Sequence, residues 1–466
     1  MSTGSSQSSA RPVRIVTLVL GALFVGYAVS DHPMYGGEPG FGKAQMGIAA
    51  AGVLIAACAL LPKAWNTRIV LATCSGLFML LVAELGLNLV LSHRYRPPYE
   101  HHERYLFRLR PGAWAEWTHP PVNGGHTILY RINSDGFRGD ELLEKGAAQR
   151  VLVYGDSFIH AFYTPQEETF TEVLEAELAK KLGSEVEVIN AGTASFGPDQ
   201  LVLRMEDELP VHEPAHVVLA VFAGNDFGDL MRNKMYRLDA QGNLKPNDFQ
   251  LSPRIRTKLQ LNHSESILKR AIRRATQSPP SQLREGAGKQ HSDPRVALMD
   301  EWLAEAQAEY KSLVVDGNDV ITNTQVDRYN ADSSLTPNAD SSRYKAGLME
   351  GVLKRAQSVA KKHGVGLTLL FIPHPVDVAE DTDHGKVETA RFPDYRRRNL
   401  TDTLTGIATR NGIAFVDLFD TFRERDASAL YYHGGDDHWN SEGQKLAAQI
   451  VATQLVKDGR LAAQNK

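Results

Sequence analysis

Cysteine is almost absent from this chain. Its 466 residues contain 2 cysteines, Cys58 and Cys74, both inside long apolar runs. Everything after Cys74 therefore lacks a disulfide framework, a thiolate metal site and a cysteine nucleophile. A strong charge of one sign is also missing. The net charge is −4, so nothing global favours a nucleic-acid partner. There is no internal repeat and no long low-complexity tract.

Charge is missing locally as well, and that absence is informative. Ile15–Ser30 and Ala44–Leu61 carry no charged residue, and Ile69–Leu91 carries only Glu84. A bilayer core needs about 20 apolar residues, within a range of roughly 17–25. The blocks are therefore expected to be transmembrane helices at about 15–30, 44–61 and 69–91, making residues 1–95 a membrane region. Arg11 and Arg14 precede the first block, and Lys63 and Arg68 lie between the second and third. The connection between the first two holds Asp31, Glu38 and Lys43. The excess of basic residues marks the cytoplasmic side. The rest of the chain is then expected on the extracytoplasmic, periplasmic side of an inner membrane, although Arg94 and Arg96 argue weakly the other way. The first block also fits a signal peptide ending in Ala28-Val29-Ser30, which leaves the main domain on the same side. Glu84 is either a functional intramembrane carboxylate or a residue facing another helix or the helix end.

A Pro/His-rich connector (Arg96, Pro97, Pro98, His101, His102) opens a strand-rich lead-in over 96–149. It ends in Asn133-Ser134-Asp135-Gly136-Phe137-Arg138, where Gly136 suits a turn and Arg138 suits pairing with a carboxylate. From residue 150 apolar runs alternate with helical patterns. The runs are Val151–Tyr154, Val186–Ile189, Val217–Phe222, Leu367–Ile372 and Ile413–Leu418. Helical patterns cover Glu167–Leu182, Asp199–Leu209, Tyr344–His363, Asp394–Arg410 and Ser441–Val456. Such alternation predicts an α/β three-layer sandwich on a mostly parallel, flavodoxin-like sheet over 150–460. An insertion at about 228–343 interrupts it. This contains a basic amphipathic helix around Ile267–Ala275, suited to packing on its own domain or lying on an anionic membrane, a Ser278-Pro279-Pro280 loop and a further helix over Arg295–Val314.

Polar motifs follow the apolar runs. Gly155-Asp156-Ser157-Phe158 comes after the first, Asn190-Ala191-Gly192 after the second and Ala223-Gly224-Asn225-Asp226 after the third. Asp436-Asp437-His438-Trp439-Asn440 follows the last at some distance. A serine hydroxyl needs a neighbouring base, and the base needs an orienting group. In a parallel sheet the carboxyl ends of all strands open onto one crevice, where such groups can converge. Each motif alone is an ordinary turn or cap; four in this order are specific.

The constellation resembles the SGNH hydrolases, the GDSL-like lipase/esterase superfamily, over roughly 150–456. The resemblance implies Ser157 as nucleophile and His438 as general base. It implies an oxyanion hole from the N–H groups of Ser157 and Gly192 and the Asn225 amide. The family's usual triad aspartate position, three before the histidine, is Gly435 here. Asp436 is the expected triad acid, on a spacing found in the branch that includes alginate O-acetylation proteins, with Asp437 in reserve. Ala223 stands where the third motif usually has glycine.

The function expected is a membrane-anchored serine esterase acting on acylated envelope glycan or lipid. An O-acetyltransferase with the same triad, fed by a membrane-bound acyltransferase partner, is the alternative. An inactive glycan-binding or scaffold domain is a third. No cofactor or metal is implied: His101, His102, His374 and His384, near Asp377, Asp381 and Asp383, lack ligand spacing and read as polar loop. Tyr431, Tyr432, His433 and Trp439 flank the catalytic loop, either packing on it or shaping a sugar- or acyl-binding surface.

Overall fold

The computed structural model describes residues 11–30, 43–91, 99–233, 235–247, 331–379, 387, 389–390, 392–432 and 437–461. The chain divides into two compact units, Met1–Arg96 forming the main body of the first and the α/β domain the second. The insertion's amphipathic helix, its proline loop and its second helix lie outside the described residues.

In the first unit, α1 (Arg11–Val29), α2 (Lys43–Ala57, extended by a 3₁₀ turn Cys58–Leu60) and α3 (Lys63–Leu91) follow the three apolar blocks. The helical spans Arg11–Val29 and Lys63–Gly86 are long and apolar enough to cross a membrane, whereas Gln45–Leu60 is shorter. Small residues let α1 and α2 approach closely: a Cβ on Gly21 would meet the Gly52 carbonyl at 2.6 Å. Polar links join the helices too. The Gln45 amide donates to the Ala28 carbonyl at 3.1 Å, and Thr17 bonds Asn66. Glu84 is half-buried on α3.

The second unit begins with two hairpins, β1 (Tyr99–His102) with β2 (Leu106–Leu109), and β3 (Trp114–Thr118) with β4 (Thr127–Arg131). The five strands that follow form one parallel sheet. They are β5 (Gln149–Gly155), β6 (Val186–Gly192), β7 (His216–Phe222), β10 (Gly366–Ile372) and β11 (Ala414–Asp417), in the order β11-β10-β7-β5-β6. A small hairpin, β8 (Tyr236–Leu238) with β9 (Leu244–Pro246), lies within the interval read as insertion. Renumbered along the sheet, the order is 2-1-3-4-5, the flavodoxin-like winding, whose direction reverses between β5 and β7. Arg138 bridges to Asn190, so the lead-in covers the edge beside β6.

The near-continuous apolar strands are explained by burial on both faces. Leu152, Tyr154, Leu219, Val221, Leu369 and Phe371 point into a core shared with α6 (Pro198–His212), α7 (Asp226–Asn233), the helix Asp340–Lys362 and the helix Asn399–Arg410. Val151, Val153, Val218, Leu370 and Ile372 face the opposite core, against α5 (Phe170–Leu182) and the helix Ser441–Lys457. Helix starts carry local signals. Thr169 caps α5, accepting from the Glu172 N–H at 3.4 Å, and Asn440 caps the last helix by accepting from Glu442 and Gly443. The helix expected from Asp394 begins only at Asn399, after turns at Asp394 and around Arg397.

Candidate active site

Four of the motif residues gather at the carboxyl edge of the sheet, around the reversal between β5 and β7. Gly155 ends β5, and a Cβ there would lie 2.3 Å from Ile159 Cγ1. Only glycine permits the turn into α4 (Ser157–His160). Asp156 caps that helix, its Oδ1 accepting from the Phe158 N–H at 2.9 Å. Ser157 is thereby set at the first helical position, half-buried on the crevice rim.

His438 arrives from the other end of the chain. Its Nε2 lies 2.7 Å from Ser157 Oγ across 281 residues of sequence, within hydrogen-bond reach for proton transfer. The ring is held from several sides. It stacks on Phe158 with centroids 4.9 Å apart. The neighbouring Trp439 is buried and donates its indole N–H to the Phe158 carbonyl at 3.1 Å. The Tyr432 N–H donates to the His438 carbonyl at 2.9 Å. Trp439 thus packs beneath the loop that carries His438.

Asp437 Oδ1 stands 3.4 Å from His438 Nδ1, and its Oδ2 stands 3.9 Å from His374 Nε2. His374 Nδ1 accepts from the Val376 N–H at 3.2 Å, so a neutral His374 carries its proton on the nitrogen that faces Asp437. His374 is thus a neighbour of Asp437, not merely polar loop. Asp436, the expected triad acid, and His433 lie outside the described residues, as do Asp381, Asp383 and His384. Among the described residues no cluster of three His, Cys, Asp or Glu side chains could hold a metal.

Asn225 follows β7, half-buried on the same rim, with its side chain hydrogen-bonded to Asp156. Gly192 presents a different picture. Its N–H already donates to Asn190 Oδ1 at 3.0 Å, and a Cβ there would lie 2.3 Å from the His160 nitrogen. The glycine is required because α4 packs directly on the end of β6. The turn beyond it is strained: Ser195 has φ +66°, a left-handed conformation unusual for serine.

Two buried carboxyl groups sit beneath Ser157 and Asn225. Burial pushes Asp156 up to about 6, its hydrogen bonds and His438 opposing the shift. Burial pushes Asp226 well above the ordinary range, and the charges of Asp156 and Asp229 add to it. The Asp226 Oδ2 accepts from the Phe222 N–H at 2.7 Å. His160, one turn beyond Ser157, is buried with no hydrogen-bond partner on either ring nitrogen. Burial, reinforced by Arg138, Arg204 and His438, lowers it to about 3.

Arg138 is buried and meets carbonyls in place of a carboxylate. It donates to the His160 carbonyl at 2.5 Å, to the Thr164 carbonyl at 2.7 Å and to the Ala161 carbonyl. Neither His160 nor the aromatic pair Phe162-Tyr163 stood out in sequence. The signal available was their position, immediately after the serine helix.

A family model described as SGNH hydrolase-like domain, acetyltransferase AlgX, matches residues 329–466. That stretch of the chain, which includes His438, is SGNH hydrolase-like. No curated protein matches the sequence. Among solved structures, the chain is similar to the lipase/acylhydrolase from Enterococcus faecalis, with 11% identity and a TM-score of 0.32, covering 68% of this chain and 100% of that one. It is also similar to TesA, with 13% identity and a TM-score of 0.33, covering 67% and 100% respectively. A catalytic mutant of the acetylxylan esterase Axe2 from Geobacillus stearothermophilus shows 10% identity and a TM-score of 0.33, covering 70% and 100%.

Proposed function

We propose that this protein is a membrane-anchored, extracytoplasmic serine enzyme that cleaves or transfers acyl groups on a cell-envelope glycan. The observation that carries the reading is the 2.7 Å approach of Ser157 Oγ and His438 Nε2 at the carboxyl edge of the parallel sheet. With its proton on Nδ1, facing Asp437, His438 presents a lone pair to the serine hydroxyl. It takes the hydroxyl proton as Oγ attacks the acyl carbon. The oxyanion formed is met by the Ser157 N–H and the Asn225 side-chain amide. Gly192 N–H joins only if it exchanges the Asn190 oxygen for the oxyanion. Collapse expels the alkoxide, which leaves with the proton from His438, and an acyl-serine remains.

The second half-reaction distinguishes two enzymes. Water activated by His438 gives an esterase, and a glycan hydroxyl in the same place gives an O-acetyltransferase. The matched family description names an acetyltransferase, which favours acetyl as the acyl group. In the transferase reading the acyl donor reaches the site through a membrane-bound acyltransferase partner, since the apolar helices are too few for a transport path of their own. The two long apolar helices and the basic residues near them support an anchor with the α/β domain outside.

The test is covalent labelling. A fluorophosphonate is expected to label the full-length protein and not its Ser157→Ala variant, and acetate release from acetylated oligosaccharide is expected to vanish with the label. Labelling that survives Ser157→Ala would overturn the assignment. Acetate appearing on an added oligosaccharide, rather than in solution, would select the transferase.

A further inference from the structure

Beside the reacting groups runs a series of aromatic rings that the chemistry above does not use. Tyr163 lies 5.5 Å, centroid to centroid, from the His438 ring and 5.5 Å from Tyr432. Phe162 lies 5.4 Å from Tyr163 and 4.3 Å from Trp117. His119 closes the row, 5.0 Å from each of Phe162 and Tyr163. The contacts are edge-to-face, so each covers one face of one ring of a pair. Trp117, Phe162 and Tyr163 are each only partly buried.

This row is held with unusual firmness. Ala161, directly before Phe162, sits at φ +53°, ψ +50°, a left-handed conformation disfavoured for a residue with a Cβ. Strain of this kind persists where the surroundings enforce it and clusters at ligand sites. Here the enforcement is visible. The Arg138 guanidinium binds the carbonyls of His160, Ala161 and Thr164, and lies 4.2 Å over the Tyr130 ring. The Tyr130 hydroxyl donates to the His160 carbonyl at 3.1 Å, and the Tyr432 hydroxyl donates to the Tyr163 carbonyl at 3.2 Å. A buried cation thus fixes the short loop that carries the partly buried Phe162 and Tyr163.

We propose that Trp117, Phe162 and Tyr163 form a ring-binding subsite beside His438, which takes the sugar bearing the scissile acyl group. The proposal rests on the serine-enzyme reading and names its substrate class. Aromatic faces are electron-rich and meet the polarised C–H edge of a pyranose well. A histidine and tyrosine hydroxyls interrupt the row, as suits a ring bordered by hydroxyls. The lead-in hairpin β3–β4 then has a role: it brings Trp117 to the serine loop.

The test compares substrates of the full-length protein in detergent: methyl tetra-O-acetyl-glucopyranoside, which carries the ring, and ethyl acetate, which does not. Trp117→Ala is expected to lower the ratio of their kcat/KM values about ten-fold, with Trp117→Phe restoring most of it and Phe162→Ala lowering it similarly. An unchanged ratio in both alanine variants would overturn the proposal. So would kcat/KM falling equally on both esters, or a loss confined to long-chain over short-chain acyl esters, which would give the wall to an acyl tail. Binding of the acetylated glucoside, followed by Trp117 fluorescence quenching against the Trp117→Phe background, is independent of turnover. If wild type fails to label with fluorophosphonate yet binds the sugar, the serine-enzyme reading falls and the subsite stands. If it labels and does not bind the sugar, the subsite falls alone.

Discussion

His160 should make the α/β domain acid-sensitive by an amount that can be worked out. The side chain is 1% exposed, neither ring nitrogen has a hydrogen-bond partner, and the Arg138 guanidinium is close. Charging it there means desolvating a cation next to another cation, so in the folded protein it stays neutral down to about 3. In the unfolded chain it titrates near its ordinary value of about 6.5. Below that value the unfolded state holds one more proton than the folded state, and stability falls as the pH drops. The slope approaches 1.4 kcal/mol per pH unit, or about 2–3 kcal/mol between pH 6.5 and 4.5. Several other groups titrate in the same range. His216, lowered to about 4, acts in the same direction, whereas Asp156 and Asp199, raised to about 6 and about 7, oppose it. A difference measurement removes them. Denaturant unfolding of wild type and His160→Phe, followed from pH 7.5 to 4.5, should show the wild type losing about 2 kcal/mol relative to the variant as the pH falls, whatever constant offset the larger ring introduces. Parallel curves would refute the claim that a neutral, unpartnered histidine is buried here.

Other expectations concern the chemistry and one structural ion pair. Asn225→Ala should lower kcat by about 10²–10³-fold with little change in KM, since the proposed mechanism uses the amide for the oxyanion; an equal rise in KM would point to ground-state binding instead. Asp437→Asn should lower kcat more than Asp436→Asn, because Asp437 Oδ1 is 3.4 Å from His438 Nδ1, and the reverse ranking in steady-state kinetics would hand the orienting role to Asp436. Lys345, which is 1% exposed and paired with the buried Asp332, should cost about 3–5 kcal/mol when changed to Ala, because the carboxylate is left buried and uncompensated. Lys345→Met with Asp332→Leu should recover much of that loss, and failure of the double variant to recover would show that the site depends on charge.

The parallel sheet was legible because its strands are buried on both faces. Runs such as Val151–Tyr154 and Val217–Phe222 show no alternation, which separates them from surface strands. The motifs at their ends were legible because topology sends every carboxyl end to one edge, and Ser157 and His438 meet there across 281 residues. Gly192 was read for its backbone donor, while its N–H is engaged by Asn190 and its missing Cβ makes room for α4. A glycine at a strand end can answer a packing need or a donor need with the same residue type, so sequence does not separate them. Arg138 was read as seeking a carboxylate and meets three carbonyls instead. Those acceptors belong to the backbone, which carries no residue-type signal. For the same reason the aromatic row was hidden: Trp117 lies on a five-residue strand and Phe162 just past a four-residue helix, and only tertiary packing makes them neighbours. What sequence displays well is chemistry fixed by residue identity at strand ends. What it conceals is the bracing that lets a strained Ala161 hold two rings beside His438, and that bracing is where substrate choice is proposed to lie.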